Sequence, residues 1–323
     1  MKIAIVAWGY TPKPPLSNSI YTLIYDYQLC LNKLGYEVDV LNEKDVDKSI
    51  DYINNSNYDF VHLHAYHFVE EFNKKLKQKY CFTSHHGYLL KENKWEPDFK
   101  EAFKSYIDAP GIIAISHPTK DFFIKKGYSG FLRVQPNGVN TNKIRVQATG
   151  NNKAICLGWI QPRKQQRLLA ESIDGKVPLD FVGPLDDPDF HEGTTTKYLG
   201  IWSLQEVYAN LTEYNCLVLI SDGEVAPLVV LEALAAGLCV VISESASANL
   251  HTKEFIKVLP DNILSNSTPE NQQIISETIL QMIEKNQYYR QEIVEYTKTN
   301  FDYGCLLKNY IQVIDEFTSF YYS

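Results

Sequence analysis

The sequence has 323 residues, of which 45% are hydrophobic and 22% are charged, and its formal net charge is −8. This length is typical of about two domains, and the composition excludes a disordered chain, a collagen or a coiled coil as the main architecture. Proteins that bind nucleic acid usually carry a basic excess, so the acidic balance disfavours that class.

The sequence gives no signal for membrane insertion or secretion. The opening residues, MKIAIVAW, lead into no small-residue cleavage site, so they predict a buried strand rather than a signal peptide. No apolar stretch approaches the roughly 18 residues of a membrane-spanning helix. The cysteines form no C-x-x-C pair and mostly lie in apolar runs. They are typical of reduced, buried thiols and predict a cytoplasmic protein.

The first half of the sequence alternates strand and helix patterns. A β-branched apolar run at residues 2–8 predicts a strand buried on both faces of a parallel sheet. A helix is predicted from Ser19 to Leu34, ended by Gly35, and a strand follows at 37–42. Further strands are predicted at 59–65, 80–86, 111–116 and 131–139, with helices at 69–79 and 118–126.

A polar segment at residues 143–153 separates this series from a second one. Strands are predicted there at 153–159, 178–183, 195–200, 216–221 and 238–243, with helices at 164–172, 203–211, 227–236 and, broken near 300–303, over 268–323. The alternation predicts an α/β protein of two Rossmann-like, doubly wound domains facing a central cleft. The predicted domains are 1–145 and 146–300, followed at 301–323 by a helix that packs back on the N-terminal domain.

The strongest chemical signal is SDGEVAPLVVLEALAAG at 221–237, where a strand, a short loop and a helix follow one another. Pro227 suits the first helical position, and the N–H groups of Leu228 and Val229 are then free to bind a phosphate at the helix start. Glu224 precedes this anion site, and Glu232 lies one turn into the helix on the same face as Leu228.

Carboxylates repel phosphate but accept hydrogen bonds from hydroxyls, so a ribose diol and a sugar ring would suit this pair. The alternative is that Glu224 is an ordinary loop charge and Glu232 a solvated helix residue. Apolar neighbours on both sides of Glu232 predict that it is more buried than a free surface carboxylate, and a buried carboxylate requires partners.

The glutamate pair lies in a stretch that resembles the E-x7-E motif of retaining GT-B glycosyltransferases of family 4. Other segments resemble that family in the same order along the chain: MKIAIVAWGYTPKPP with LNKLGYEVDVL, IIAISHPTKDFFIKKG, VQPNGVNTNKI, AICLGWIQPRKQQRLLAES and FDYGCLLKNYIQVIDEF. The resemblance spans nearly the whole chain. It implies a GT-B fold and transfer of a sugar from a nucleotide diphosphate sugar with retention at the anomeric carbon.

The resemblance also implies roles for individual residues. Glu224 would contact hydroxyls of the donor sugar, and Glu232 the ribose of the nucleotide. Lys164 matches the lysine of the family's G-R-x-x-x-x-K pattern, whereas Trp159 stands where its arginine is expected. Arg163 would supply the missing charge, and two cations at the diphosphate would stabilise the leaving group. The alternative is a basic helix start on the surface.

Two further positions depart from the family pattern. The family often has two glycines before the first helix, and Asn18 and Ser19 occupy those positions here as the expected first-loop contacts to donor or acceptor. Asn tolerates left-handed backbone geometry, so the turn can survive. Pro227 replaces a usual glycine and removes one N–H that would face the phosphate.

Histidines form a second group of candidates. His62 and His64 share one face of a predicted strand, but no carboxylate or cysteine accompanies them, so a metal site is disfavoured. His85 and His86 end the strand TSHHG, and the family carries a histidine near the reacting sugar at this point. Either residue fits that pattern, and the other is expected to be a packed strand-end residue.

Three other motifs have simpler interpretations. Asp186, Asp187 and Asp189 surround a proline, which favours a turn over a D-x-D metal motif. The basic, aromatic segment at 120–126 could contact an anionic membrane, but a helix with a packed apolar face is favoured. The sequence has neither G-x-G-x-x-G after its first strand nor G-x-x-x-x-G-K-[ST], which disfavours a nicotinamide enzyme and a P-loop.

These observations predict a cytoplasmic, metal-independent glycosyltransferase that needs no cofactor beyond a nucleotide sugar as co-substrate. The acceptor, whether glycan, lipid, protein or small molecule, has no recognisable signature, and nucleic acid is not an expected partner. Two alternatives remain: a nucleotide-sugar epimerase or phosphorylase of the same fold, and a GT-B binding module that has lost catalysis.

Overall fold

The structure is a computed structural model that describes residues 1–7 and 19–322. Its strands are β1 (Lys2–Val6), β2 (Glu37–Leu41), β3 (Phe60–Leu63), β4 (Cys81–Phe82), β5 (Gly111–Ala114), β6 (Phe131–Val134), β7 (Ala154–Leu157), β8 (Leu179–Val182), β9 (Thr196–Tyr198), β10 (Cys216–Leu219), β11 (Cys239–Ser243) and β12 (Ile256–Leu259). Its helices are α1 (Ser19–Lys33), α2 (Val46–Asn54), α3 (Val69–Lys75), α4 (Pro97–Lys104), α5 (His117–Lys125), α6 (Gln166–Ile173), α7 (Leu204–Asn210), α8 (Leu228–Ala235), α9 (Asp261–Leu264), α10 (Pro269–Phe301) and α11 (Tyr303–Tyr322).

The chain divides into two compact units, Met1–Asn137 with Gly304–Ser323 and Gly138–Tyr303. The first boundary comes earlier than the one expected after residue 145, because Val139 pairs with the end of α10. Its N–H donates to the Phe301 carbonyl at 2.9 Å, and its carbonyl accepts from the Tyr303 N–H at 3.3 Å. The segment after Asn137 is therefore tied to the second unit.

The first unit is built on a six-stranded sheet in the order β2-β1-β3-β4-β5-β6, with every pair parallel. Strands such as β1 and β5 are continuous apolar runs, and Ile3 to Val6 are fully buried. Such runs are expected where helices cover both faces of a parallel sheet. Helix α11 packs on this sheet: the ring of its Phe317 meets that of Phe60 edge-on at 5.4 Å.

The second unit has a six-stranded parallel sheet in the order β12-β11-β10-β7-β8-β9. Counted within the unit, this is the Rossmann order 3-2-1-4-5-6 read from the far edge. The chain reverses its winding direction between β7 and β10. The predicted fold class, two Rossmann-like doubly wound domains, is confirmed.

The structure corrects several predicted elements. The strand expected at 80–86 is only β4, so the two histidines at its end lie in irregular chain beyond it. Helices α2, α4 and α9 and strand β12 were not predicted. The break in the C-terminal helical tail falls at Asp302, between α10 and α11, within the expected interval.

Candidate active site

The candidate donor site of the second unit lies where the loops after β7 and β10 meet. These strands are hydrogen-bonded neighbours, with Cys216 opposite Ala154 and Leu217 opposite Ile155. The sheet changes winding direction at this pair, and ligands of doubly wound sheets bind beyond the carboxyl ends of strands at such a point. The predicted cations follow β7, and the predicted carboxylate Glu224 follows β10.

Glu224 contacts both predicted cations through one oxygen. Its Oε1 lies 3.5 Å from Nη1 of Arg163 and 3.4 Å from Nζ of Lys164. Only 11% of the Glu224 side chain is exposed, so these ion pairs are poorly screened by water. Oε1 is buried and accepts no hydrogen bond of good geometry from the described residues, so the contact is ionic and leaves the oxygen able to accept one.

Two hydrogen bonds to backbone carbonyls hold these loops together. The Asp222 N–H donates to the Arg163 carbonyl at 2.8 Å, and the Arg163 guanidinium donates back to the Gly223 carbonyl. The backbone and the side chain of Arg163 are thus both bonded to the loop after β10, which fixes the guanidinium beside the Glu224 carboxylate. Arg163 thus lies beside Lys164 and Glu224, and Trp159 stands at the family's arginine position.

Glycines let Lys164 reach the site. A Cβ on Gly158 would lie 3.2 Å from Lys164 Nζ, and one on Gly183 would lie 2.1 Å from the Gly158 carbonyl oxygen. Both glycines have positive φ, +144° and +141°, which favours glycine on conformational grounds as well. The lysine therefore passes over bare backbone between the ends of β7 and β8.

The helix start differs slightly from the prediction. Helix α8 begins at Leu228, and Pro227 is its extended N-cap rather than its first helical residue. Proline has no N–H, and this N-cap makes no side-chain hydrogen bond. Val230 N–H donates to the Pro227 carbonyl at 3.3 Å. N–H groups in the first turn of a helix have no carbonyl acceptor within that helix. Those of Leu228 and Val229 therefore remain the predicted anion donors.

Glu232 lies in α8 between the buried residues Leu231 and Ala233, and it is itself partly exposed. It stands four residues after Leu228, so the two share the face that points back toward the helix start. This position matches the prediction of a carboxylate more buried than a free surface residue.

Sequence reasoning missed Gln166, which shapes the loop after β7. This side chain is 1% exposed; its Nε2 donates to the Trp159 carbonyl at 2.9 Å, and its Oε1 accepts from the Gln161 N–H at 3.3 Å. Trp159 itself is 53% exposed. Glutamine has no helix-start signature, so nothing in the sequence marked this role.

In the first unit, His62 is a buried core residue whose two ring nitrogens both form hydrogen bonds. Its Nε2 lies 2.8 Å from Thr83 Oγ1 and its Nδ1 lies 2.7 Å from the hydroxyl of Tyr310. The Thr83 hydroxyl gives its single hydrogen to the Ile113 carbonyl at 3.1 Å, so His62 Nε2 must be the donor to threonine. Its Nδ1 then accepts from Tyr310, and no nitrogen remains for a metal.

His64 and His85 form a second pair beside it. His64 Nδ1 lies 3.0 Å from His85 Nε2, and the two rings stack at 5.3 Å with an interplanar angle of 13°. Burial lowers the pKa of His85 to about 4 and that of His62 to about 3, and it lowers the pKa of His64 well below its usual range. All three imidazoles are therefore neutral near pH 7.

His86 has different surroundings from His85. Its ring stacks on Phe99 at 3.5 Å with an interplanar angle of 10°, and it meets the ring of Tyr66 edge-on. The two histidines that the sequence could not distinguish thus differ in contact: His85 joins the imidazole pair, and His86 joins an aromatic cluster.

Some predictions fall outside this geometry. Asn18 lies outside the described residues, and Ser19 opens α1 but its side chain is not described. The aspartates at 186–189 form a turn in which the Asp189 N–H donates to Asp187 Oδ1 at 3.1 Å. In α5, Phe123 is fully buried while Ile124 is 53% exposed.

The described part of the chain lacks two kinds of feature. Within residues 1–7 and 19–322, no three side chains of His, Cys, Asp or Glu are grouped so that they could hold a metal ion. Among the helices of the same residues, none combines the length and the apolar character needed to span a membrane.

Comparison with known proteins relates this architecture to glycosyltransferases. A sequence model of Glycosyltransferase Family 4 matches residues 45–143. No curated protein matches the sequence.

Solved structures match nearly the whole chain. Sucrose-phosphate synthase from Thermosynechococcus elongatus has a TM-score of 0.78 at 14% identity, covering 98% of this chain and 99% of that one. Anabaena HepE in complex with UDP and glucose has a TM-score of 0.73 at 14% identity, covering 98% and 100%. AviGT4, a glycosyltransferase involved in avilamycin A biosynthesis, has a TM-score of 0.72 at 14% identity, covering 98% of both chains. The resemblance to family 4 glycosyltransferases and the GT-B fold is thus confirmed.

Proposed function

We propose that this protein is a retaining glycosyltransferase that takes its sugar from a nucleotide diphosphate sugar and needs no metal ion. The observation that carries the proposal is the meeting of Arg163, Lys164 and Glu224 at the winding reversal of the second sheet. Helix α8 begins four residues after Glu224, at Leu228. Cations, helix N–H groups and a carboxylate are the groups that a sugar diphosphate requires.

The diphosphate would bind to the two cations and to the N–H groups of Leu228 and Val229. These groups would stabilise the negative charge that grows on the phosphate as the sugar leaves, so they would act mainly in the transition state. Fixed cations can supply this stabilisation in place of a divalent ion. Metal independence therefore rests on Arg163 and Lys164.

The two carboxylates would bind the neutral, hydroxyl-bearing parts of the donor. Glu224 Oε1 has an unused capacity to accept a hydrogen bond and lies beside the cations, as a contact to the transferred sugar requires. Glu232, one helical turn from the anion donors, is suited to the ribose.

The chemical step would exchange one bond at the anomeric carbon. The bond from that carbon to the diphosphate oxygen breaks, and an acceptor oxygen forms a new bond on the same face. The acceptor proton passes to the departing phosphate oxygen, which leaves with the electron pair of the broken bond. In the first unit, His85 is a neutral hydrogen-bonding group near pH 7, because burial lowers its pKa.

The first donor to test is a UDP-sugar, because solved structures of HepE hold UDP and UDP-glucose. The protein would be incubated with UDP-glucose and a panel of sugar, lipid and peptide acceptors, with and without EDTA. Release of UDP that depends on an acceptor, resists EDTA and gives a product of unchanged anomeric configuration by NMR would support the proposal.

Other outcomes would redirect it. An isomerised donor or free sugar formed without an acceptor would favour an epimerase. Phosphate-dependent formation of a sugar phosphate would favour a phosphorylase. Tight UDP binding with no turnover of GDP-, ADP- or UDP-sugars would favour a binding module. A product of inverted configuration would overturn the retaining mechanism alone.

A further inference from the structure

We propose that His64 is a positioning residue that fixes the proton of His85 on Nδ1, so that His85 presents an N–H donor to its ligand. The inference rests on the proposed function for its catalytic meaning, although the proton position can be tested without any activity. It concerns a residue beyond the carboxylates, cations and strand-end histidines already assigned.

The geometry leaves the pair one shared proton. His64 Nδ1 and His85 Nε2 are 3.0 Å apart, so one nitrogen must donate and the other must accept. A neutral imidazole carries a single N–H, and both rings are neutral near pH 7. The direction of this one hydrogen bond therefore sets the state of all four ring nitrogens.

Burial decides between the two directions. His64 is 7% exposed, and its Nε2 is buried with no hydrogen-bond partner among residues 1–7 and 19–322. If His85 donated, His64 would have to keep its proton on this buried Nε2. If His64 donates, Nε2 carries only an unused lone pair. An unpaired buried N–H is rarer in folded proteins than an acceptor left unused, so His64 is the donor.

Neighbouring groups do not compete for this proton. His62 is the titratable group that packs on the pair, and Tyr310, Tyr27 and Cys81 lie beyond it: Tyr310 contacts His62, Tyr27 stacks on Tyr310, and Cys81 lies opposite His62 on β4. His62 packs on His64 with ring centroids 4.0 Å apart, but both of its nitrogens are bonded, to Thr83 and Tyr310. Tyr310 also stacks on Tyr27 at 4.8 Å. Cys81 and both tyrosines keep their protons, since burial raises the pKa of each.

The consequence for His85 is chemical. Because its Nε2 accepts from His64, its own proton must sit on Nδ1. Among the described residues, His85 Nδ1 has no hydrogen-bond partner. His85 is thereby prepared to donate to a sugar hydroxyl or a phosphate oxygen, and it is unsuited to act as a base through that nitrogen.

The direct test is the position of the proton in the full-length protein without ligand. Long-range proton–nitrogen NMR spectra of the ¹⁵N-labelled histidine rings, assigned with His85→Gln, should show His85 protonated on Nδ1 at pH 7. In His64→Leu the fixed position should be lost. A proton on Nε2 in the wild type, or an unchanged His85 spectrum in His64→Leu, would overturn the inference.

The kinetic test separates positioning from packing, with UDP-glucose as the first probe. His64→Leu should lower kcat about tenfold with little change in donor KM, the size expected for one lost neutral hydrogen bond. In His64→Asn the amide can take the place of Nδ1 as donor, and kcat should return to within about threefold of wild type. Tyr310→Phe, which removes a hydroxyl from the same cluster, should leave kcat unchanged.

The outcomes keep the two claims apart. Equal losses in His64→Leu and His64→Asn, with both proteins folded by circular dichroism, would assign His64 a packing role and contradict the inference. Absence of any turnover in the wild type would count against the proposed function, while the NMR spectra would still decide the proton position.

Discussion

Lys164 Nζ lies 3.4 Å from Glu224 Oε1, and the same oxygen is shared with Arg163 at 3.5 Å. The carboxylate thus neutralises part of the cationic charge that the diphosphate would use. A bound donor would replace this contact in part, with phosphate taking over the cations and Glu224 turning to a sugar hydroxyl. Glu224 would therefore have a different partner before and after donor binding.

Removing the Glu224 charge should separate catalysis from nucleotide binding. Glu224→Gln frees two cations, so we expect UDP to bind with equal affinity or up to about fivefold more tightly, in the range of a single ion pair. Turnover should fall sharply, because the hydrogen bond from the sugar hydroxyl to a carboxylate becomes a weaker one to a neutral amide oxygen. Titration calorimetry with UDP and a UDP-release assay measure the two effects. Turnover like that of the wild type would contradict the assigned role.

Removing a cation should weaken binding of the diphosphate only. We expect Lys164→Ala to lower UDP affinity at least about tenfold, as for a lost charge-assisted contact, and to leave uridine affinity unchanged. Arg167→Ala is the matched control, because Arg167 is an exposed residue three positions away that pairs with Asp189. If the two variants lost equal affinity, general electrostatics would explain the effect and Lys164 would not contact phosphate.

Glu232 can be tested through the ribose. We expect Glu232→Gln to weaken UDP binding about tenfold, because a carboxylate hydrogen bond to a hydroxyl becomes a neutral one. The same substitution should cost much less with a deoxyribose nucleotide that lacks the hydroxyl concerned. Calorimetric titration of wild type and Glu232→Gln with both nucleotides gives the coupling energy between the Glu232 side chain and the ribose hydroxyl. Purely additive losses would refute a direct contact.

Arg290 should be a major contributor to stability of the second unit. Its buried guanidinium donates to the carbonyls of Gln147 at 2.8 Å and Tyr214 at 3.0 Å and to Asn286 Oδ1 at 2.8 Å. Arg290→Met leaves these acceptors unpaired, and we expect a loss of about 2–4 kcal/mol in urea unfolding. Lys285→Ala breaks an exposed pair with Glu254 and should cost less than about 1 kcal/mol. Similar losses for the two would contradict this account.

Stability should fall as pH drops from 7 toward 5. The folded-state pKa values of His62 and His85, about 3 and about 4, lie below the unfolded value of about 6.5. In this window the unfolded chain binds protons that the folded chain does not, so the free energy of unfolding rises with pH and levels off above the unfolded pKa. His62→Leu should reduce that slope. A slope unchanged in His62→Leu would show that this histidine titrates normally in the folded state.

The sequence predicted best those features that depend on local patterns. Strands such as β10 and β11 are continuous apolar runs between loops, and the start of α8 follows its proline within one residue. Strand β12 was missed because Lys257 interrupts the short apolar segment Ile256 to Leu259 at a sheet edge, where no continuous run is required. Helix α4 was missed although Pro97 opens it, because its short amphipathic pattern lies in a polar stretch.

Contacts between distant residues could not be predicted from local pattern. The Glu224 carboxylate meets Lys164 because β7 and β10 are neighbours, and that adjacency comes from the winding of the sheet. The pairing of His64 with His85 likewise depends on β3 lying beside β4. The sequence predicted His64 within one strand and His85 at the end of the next, but the 3.0 Å contact between their rings is a property of the folded sheet.

The central claim is that the second unit binds a nucleotide diphosphate sugar through fixed cations, and calorimetric titration tests it most directly. UDP-, GDP- and ADP-sugars would be titrated into wild-type protein and Lys164→Ala, each with and without EDTA. The account predicts saturable micromolar binding of one base class that persists in EDTA and weakens strongly in Lys164→Ala. Absence of binding to every donor, or binding that EDTA abolishes, would contradict it.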